Sequence, residues 1–161
     1  VTFRTDQLEQ EEFSVAELAR EVCERLLPTA ELKDIEIVEH YAAANQMING
    51  DRILVQNAFR NILDNAIKYS PAESQINVSL YKEGDELFLG TEDQGRGLGD
   101  VDSAQLKARF SRGSNVDDVV GSGLGLTIAD EVARAHNGRL LITKNDGGTG
   151  ACVSLVFSLP S

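Results

Sequence analysis

The stretch from Asp51 to Pro71 constrains this chain more than any other. Phe59, Ile62, Leu63 and Ala66 recur at helical core spacing, while Asn61, Asn65 and Lys68 fall at i, i+4 and i+7 and share a different face. Asp51 is suited to cap such a helix, which runs to about Tyr69. It ends before Ser70-Pro71, because the residue preceding a proline is pushed out of the helical region. An ordinary outer helix face carries Glu, Lys and Arg. Asparagine competes with its own backbone and is a mediocre helix former, so two in line with a lysine call for a reason. On the helix alone, a solvated face and a binding face remain equally open.

The rest of the chain arranges itself around that helix. Residues 1 to 12 are polar and read as a connector, with a short strand near Glu12-Phe13. Ser14 with Glu17 three places on is a capping box, followed by an apolar stripe of Val15, Leu18, Ala19, Val22, Cys23, Leu26 and Leu27 up to Pro28. A strand is expected through Ile35 to His40 and another over Gln46 to Gly50. Ile76, Val78 and Leu80 alternate with polar residues, and Lys82-Glu83-Gly84-Asp85 turns the chain into Leu87 to Leu89 as an antiparallel hairpin.

From Glu92 to Gly125 there are seven glycines and one short helix-like patch, Ser103 to Phe110. Irregular segments of such length within a domain are usually lids or binding loops. A helix from about Gly123 to His136 ends at a left-handed Asn137-Gly138 cap, and Leu140 to Thr143 with Ala151 to Leu159 makes a terminal hairpin. Three helices with strands grouped as hairpins predict an α+β two-layer sandwich, its helices on one face of a mixed, mostly antiparallel sheet.

Composition narrows the function. At 161 residues the chain is one domain that needs no staple. Cys23 and Cys152 stand apart in apolar segments and read as free buried thiols, and with only His40 and His136 beside them zinc chemistry is not expected. Fifteen basic residues against 26 acidic give a net charge of -11, so attraction to nucleic acid or to an anionic membrane is not expected either. No apolar run is long enough for a membrane-spanning helix. The chain does not open with Met, which fits a piece of a longer protein.

Three further segments carry chemistry. Gly121-Ser122-Gly123-Leu124-Gly125-Leu126 leads into a helix, where glycines admit an anion to backbone N–H groups at a positive helix end; a flexible helix entry is the alternative. It lacks the Gly-Lys-Ser/Thr of a P-loop and the third glycine of a dinucleotide fingerprint. Asp93-Gln94-Gly95-Arg96-Gly97 follows an apolar strand. A carboxylate held there could accept from the amino group of adenine and would disfavour guanine, or it is an ordinary turn. Arg109, Phe110 and Arg112 supply phosphate-reaching cations, or a solvated basic cluster. His136 reads as a helix cap or packing residue.

In this order, Asn61 to Pro71, Asp93 to Gly99, Arg109 to Gly113 and Gly121 to Leu126 resemble the N, G1, F and G2 boxes of sensor histidine kinase ATP-binding catalytic domains. These domains share a Bergerat-type fold with DNA gyrase and mismatch-repair ATPases. The resemblance runs from about Phe13 to Leu159, which makes residues 13–161 the catalytic domain and 1–12 the join to a helical dimerisation domain.

The resemblance implies ATP with Mg²⁺, the metal taking an oxygen from Asn65. It implies that Asn61 and Lys68 contact the phosphates, Tyr69 lies against the nucleotide and Asp93 takes the adenine amino group. Gly95 and Gly97 shape the adenine pocket, Arg112 approaches the γ-phosphate, and Gly121, Ser122, Gly123, Leu124, Gly125 and Leu126 wrap the phosphate tail. Asn61, Lys68 and Arg112 are then the residues nearest the transferred group. Leu98-Gly99-Asp100 departs from the Ile-Pro type sequence usual after the G1 glycines, and Asp117-Asp118 sits in the lid segment.

ATP-hydrolysing relatives place a Glu where this chain has Asn61. A carboxamide cannot accept a proton from water, so transfer of the γ-phosphoryl group to a histidine imidazole is expected instead. Neither His40 nor His136 lies in a Ser-His-Glu-Leu-Arg-Thr-Pro type motif. The acceptor is therefore expected on the helical domain, the partners being that domain and a response regulator. The resemblance also implies a dimeric parent, a monomeric fragment and a cytoplasmic location beneath an inner-membrane receptor. Two alternatives keep the same boxes: a nucleotide-sensing module without catalysis, and a serine kinase of the anti-sigma-factor type.

Overall fold

The computed structural model describes residues 10–93, 126–144 and 151–159. In chain order these form β1 (Glu11–Ser14), α1 (Val15–Leu32), β2 (Glu36–Tyr41), β3 (Met47–Gly50), α2 (Arg52–Tyr69), β4 (Gln75–Glu83), β5 (Glu86–Asp93), α3 (Thr127–Ala135), β6 (Arg139–Lys144) and β7 (Ala151–Ser158). The expected helix-like patch at Ser103 to Phe110 and most of the glycine-rich segment lie outside the described residues.

Local chemistry sets the helix ends. Ser14 Oγ accepts the N–H of Glu17 at 3.2 Å and starts α1. The apolar stripe runs as expected to Leu26, but Leu27, expected within it, is exposed, and α1 continues past Pro28 to Leu32. Pro28 and Glu24 are both exposed, so the Glu24 carbonyl that loses its donor faces water, and buried Ala30 holds the following turn to the core. Asp51 caps α2, accepting the N–H of Leu54 at 3.2 Å, and Ser70 ends it with extended backbone before Pro71. At the end of α3, Asn137 takes φ +60°, and Gly138 N–H reaches back to Ala133 O at 2.8 Å, the left-handed cap that Asn137-Gly138 predicts.

The main sheet has five strands in the order β2-β4-β5-β7-β6. β2 and β4 run parallel, and the other three pairings are antiparallel. The β4–β5 hairpin closes through Gly84-Asp85, with Gly84 at φ +62°, a conformation that suits a residue without Cβ. The strand expected near Gly50 pairs with neither neighbour in sequence. β3 joins β1 in a separate two-stranded sheet, Phe13 opposite Ile48.

The three helices of the described residues cover one face of the large sheet: α1 lies over β2, α2 over the centre at β5, and α3 over β6 and β7. Phe59, Ile62 and Leu63 from α2 are buried with Leu18 and Val22 of α1, Val132 of α3 and Leu87, Leu89 and Leu155 of the sheet. This is the expected α+β sandwich, with α2 as its central helix. Cys23 is buried and Cys152 half-buried, and both are free thiols.

Candidate functional site

The central position of α2 decides where its polar line can point. Its apolar stripe packs on the sheet, α1 flanks one side and α3 the other. The residue that ends α3 on its C-terminal side and the one that caps α2 are joined: His136 Nε2 accepts the N–H of Asp51 at 3.0 Å. Two helices of equal rise that touch along their length from that junction run antiparallel. The first turn of α3 therefore comes level with Asn61. Leu126, which precedes that turn, is buried.

Asn61 and Asn65 are each half-buried and hold a buried polar atom with no hydrogen-bond partner, Oδ1 of Asn61 and Nδ2 of Asn65. An unmet buried acceptor and an unmet buried donor one helical turn apart are costly unless something else satisfies them. Lys68 continues the line. It is exposed, with its Nζ 5.5 Å from the ring centre of Tyr69, and Tyr69 packs partly against the core.

Asp93 ends β5 on the helix-covered face and is 6% exposed. It pairs with Ile76 at the start of β4, the strand that α2 feeds into through Ser70 to Ser74. Asp93 and the last turn of α2 are thus at one end of the sandwich. Gly95, Gly97, Arg112, Gly121, Ser122, Gly123, Leu124 and Gly125 lie outside the described residues, as do Arg109 and Phe110.

Lys33 is a feature of this end that the sequence did not disclose. It follows α1, and its ammonium donates to three carbonyls at the end of α2: Ile67 at 2.9 Å, Lys68 at 3.1 Å and Ser70 at 2.6 Å. Ser70 Oγ also donates back to Ala66 O at 2.6 Å. The partners of Lys33 are 34 to 37 residues away, so no local pattern could have announced the contact.

A concavity of about 450 Å³ opens between α1 and β2, away from the asparagine line. Its chemistry is closed on itself. Tyr41 donates its hydroxyl to Glu39, Cys23 Sγ lies 3.9 Å from that hydroxyl, and the Arg20 guanidinium covers the Tyr41 ring at 5.0 Å. Burial, reinforced by the charge of Glu39, pushes the Cys23 thiol up to about 12, so it stays protonated and unreactive at neutral pH.

The residues suit a divalent cation that arrives with phosphates. Among the described residues no three His, Cys, Asp or Glu side chains converge on a metal position. Each asparagine offers a carboxamide oxygen and an amide donor, and rotation of the carboxamide exchanges the two, so positions 61 and 65 can between them meet a hard cation and the oxygens around it.

Residues 50–161 match the family described as histidine kinase-, DNA gyrase B-, and HSP90-like ATPases. The Mycobacterium tuberculosis sensor-like histidine kinase SenX3 is 32% identical over 142 residues, which cover 87% of this chain and 34% of SenX3. The chain thus spans about a third of the length of this relative. Among solved structures, the mycobacterial sensor histidine kinase MprB superposes with a TM-score of 0.70 at 28% identity, covering 94% of this chain and 99% of that one. The histidine kinase ThkA, in complex with its response regulator protein TrrA, gives a TM-score of 0.73 at 18% identity, covering 95% and 42%. The chain belongs to the histidine kinase-, DNA gyrase B-, and HSP90-like ATPase family, and its relatives within that family are sensor histidine kinases.

Proposed function

We propose that this chain is the ATP-binding catalytic domain of a two-component sensor histidine kinase, which passes the γ-phosphoryl group of ATP to a histidine on a separate helical dimerisation domain. The observation that carries the reading is the pair of unmet buried carboxamide atoms on α2, beside the start of α3. They are placed to meet a ligand with both donor and acceptor demands, as a metal-bound triphosphate has.

In this reading Asp93 accepts the adenine amino group from its buried position at the end of β5 and Tyr69 lies against the nucleotide. Asn61 and Lys68 hold phosphate oxygens, Asn65 holds the metal with its carboxamide oxygen, and Arg112 approaches the γ-phosphate. The segment Gly121 to Leu126 wraps the phosphate tail and Gly95 and Gly97 shape the adenine pocket. Bound Mg²⁺ neutralises phosphate charge and leaves the terminal phosphorus open to attack. The acceptor imidazole nitrogen forms the new P–N bond, the bond from the γ-phosphorus to its bridging oxygen breaks, and ADP leaves with that electron pair. Asn61 cannot take a proton from water, which protects ATP until an imidazole is presented.

The parent in this reading is a dimer, and the ThkA complex with TrrA supports a response regulator as the downstream partner. No described helix is long and apolar enough to cross a membrane. The site of action we assign is the cytoplasm, where ATP is available, beneath a membrane-anchored sensor.

Mixing the protein with radiolabelled ATP, Mg²⁺ and a helical hairpin domain bearing a Ser-His-Glu-Leu-Arg-Thr-Pro motif tests this. Acid-labile phosphate on the hairpin is the expected product. Acid-stable phosphate, or rapid ATP hydrolysis that ignores the hairpin, contradicts the proposal.

A further inference from the structure

The nucleotide helix ends in an unusual place for a helix that has to hold a basic side chain outward. The last carbonyls of any helix lack intrahelical donors and carry partial negative charge, and a lysine in the final turn is commonly drawn to them. Lys68 occupies that turn, yet the ammonium on the carbonyls belongs to Lys33. Lys33 has three donors, and each has one carbonyl acceptor there.

The contact is part of a wider clasp between two turns. Lys33 O accepts the N–H of Glu73 at 3.2 Å, and the N–H of Glu36 donates to Ser74 O at 3.0 Å. The α1–β2 turn thus grips the α2–β4 turn from both sides of its ammonium. Asp34 and Glu73, with φ of 56° and 63°, occupy left-handed backbone within the two turns. Such conformations persist where surrounding contacts hold them.

We propose that Lys33 is a positioning residue for nucleotide binding: by taking over the carbonyls of Ile67, Lys68 and Ser70 it fixes the last turn of α2 and leaves the Lys68 ammonium available for phosphate. The inference rests on the reading of α2 as the nucleotide helix. Lys33 touches no reacting atom itself. Without it, Lys68 can turn back onto its own helix end, and the turn that carries Tyr69 loses three charge-assisted hydrogen bonds.

Calorimetric titration with Mg-ATP of the wild-type chain, Lys33→Met, Lys68→Ala and the double variant tests the inference, alongside amide hydrogen exchange along α2. Lys33→Met is expected to weaken ATP about tenfold, as the loss of one or two such bonds does. The double variant should bind little worse than Lys68→Ala alone, because both changes remove the same interaction. Exchange should quicken at Ile67 to Ser70 and stay slow at Val55 to Leu63, and Lys33→Arg, which keeps the charge and the donors, should recover most of the affinity. If Lys33→Met does not fold, Lys33→Gln, which keeps one amide donor group, takes its place in the cycle. Wild-type affinity in the Lys33 variant while Lys68→Ala loses ATP overturns the inference and spares the nucleotide reading. Strictly additive losses, or loss of protection along the whole of α2, also overturn it by reducing Lys33 to general support. Unchanged binding in Lys68→Ala removes the nucleotide reading and Lys33's role with it.

Discussion

The imidazole of His136, at the end of α3, accepts a hydrogen bond from the backbone N–H of Asp51, the cap of α2, at 3.0 Å. Its other nitrogen, Nδ1, faces the carbonyl of Val132 at 2.8 Å. A backbone N–H can only donate and a carbonyl can only accept, so these partners select the neutral ring with its proton on Nδ1. The ring stands edge-on to Phe157, 6.3 Å between centres. It ties the helix of the asparagine line to the helix that starts beside it. His136→Ala is expected to cost about 1–3 kcal/mol, measured by urea unfolding. Gly50→Ala should do similar damage, because a Cβ there would sit 2.5 Å from His136 Cδ2. A change under about 0.5 kcal/mol in both, the level of an ordinary surface substitution, contradicts the tie.

Asn61 should show the opposite balance between stability and function. Its Oδ1 is buried without a partner, so the folded protein gains little from it. Replacing an unsatisfied buried polar group by an apolar one of similar size is commonly neutral or stabilising. Asn61→Leu is therefore expected to keep or raise the melting temperature while phosphotransfer to the hairpin domain is lost. A markedly destabilised variant would mean that the side chain serves the fold.

Asp93 should choose the base. Asp93→Asn replaces an acceptor-only carboxylate with a group that also donates, and donation meets the adenine amino group unfavourably. Affinity for ATP should fall at least about tenfold, the scale of a lost hydrogen bond to a charged group. Competition between ATP and GTP against a fluorescent nucleotide reads this out, and an unchanged preference for ATP would place adenine elsewhere.

Alkaline stability should report on the α1–β2 concavity. Cys23 is pushed from an ordinary 9.0 to about 12 in the folded state by burial and the nearby charge of Glu39. Burial and the contact with Glu39 raise Tyr41 as well. Between those two pH values the unfolded chain releases the thiol proton and the folded chain keeps it, so stability falls as pH rises. One such group contributes a slope of about 1.4 kcal/mol per pH unit. Unfolding by urea from pH 8 to 10.5 should show a shallower decline in Cys23→Ala than in the wild type. Equal slopes would show that the thiol ionises normally.

What the sequence disclosed were features written within a few residues of each other. Ser14 with Glu17, Asp51 with Leu54, Ser70 before Pro71, Gly84 in its turn and Asn137 before Gly138 all set their ends locally, and each stands where its pattern predicts. The line of Asn61, Asn65 and Lys68 was legible because helical spacing alone puts it on one face. Pairing between distant strands was not. Nothing near Met47–Gly50 says that its partner is β1, or that β2 lies parallel to β4, since those choices are made by the packing of the whole chain. The passage of α1 through Pro28 depends on which side of the helix meets water, and the grip of Lys33 on α2 depends on two turns meeting in space. The metal role proposed for Asn65 came from the order of four motifs, and the adenine reading of Asp93, which its carboxylate allows, stood level with an ordinary turn until that order was read.

The most direct test is Mg-ATP binding to Asn65→Ala by isothermal titration calorimetry, with the circular dichroism melt of the same sample as a control for folding. A clear heat of binding is expected for the wild type and none for the variant at the same Mg²⁺ concentration, with the melt preserved. Wild-type affinity in a folded Asn65→Ala protein would contradict this, because the carboxamide line on α2 would then have no part in holding the nucleotide.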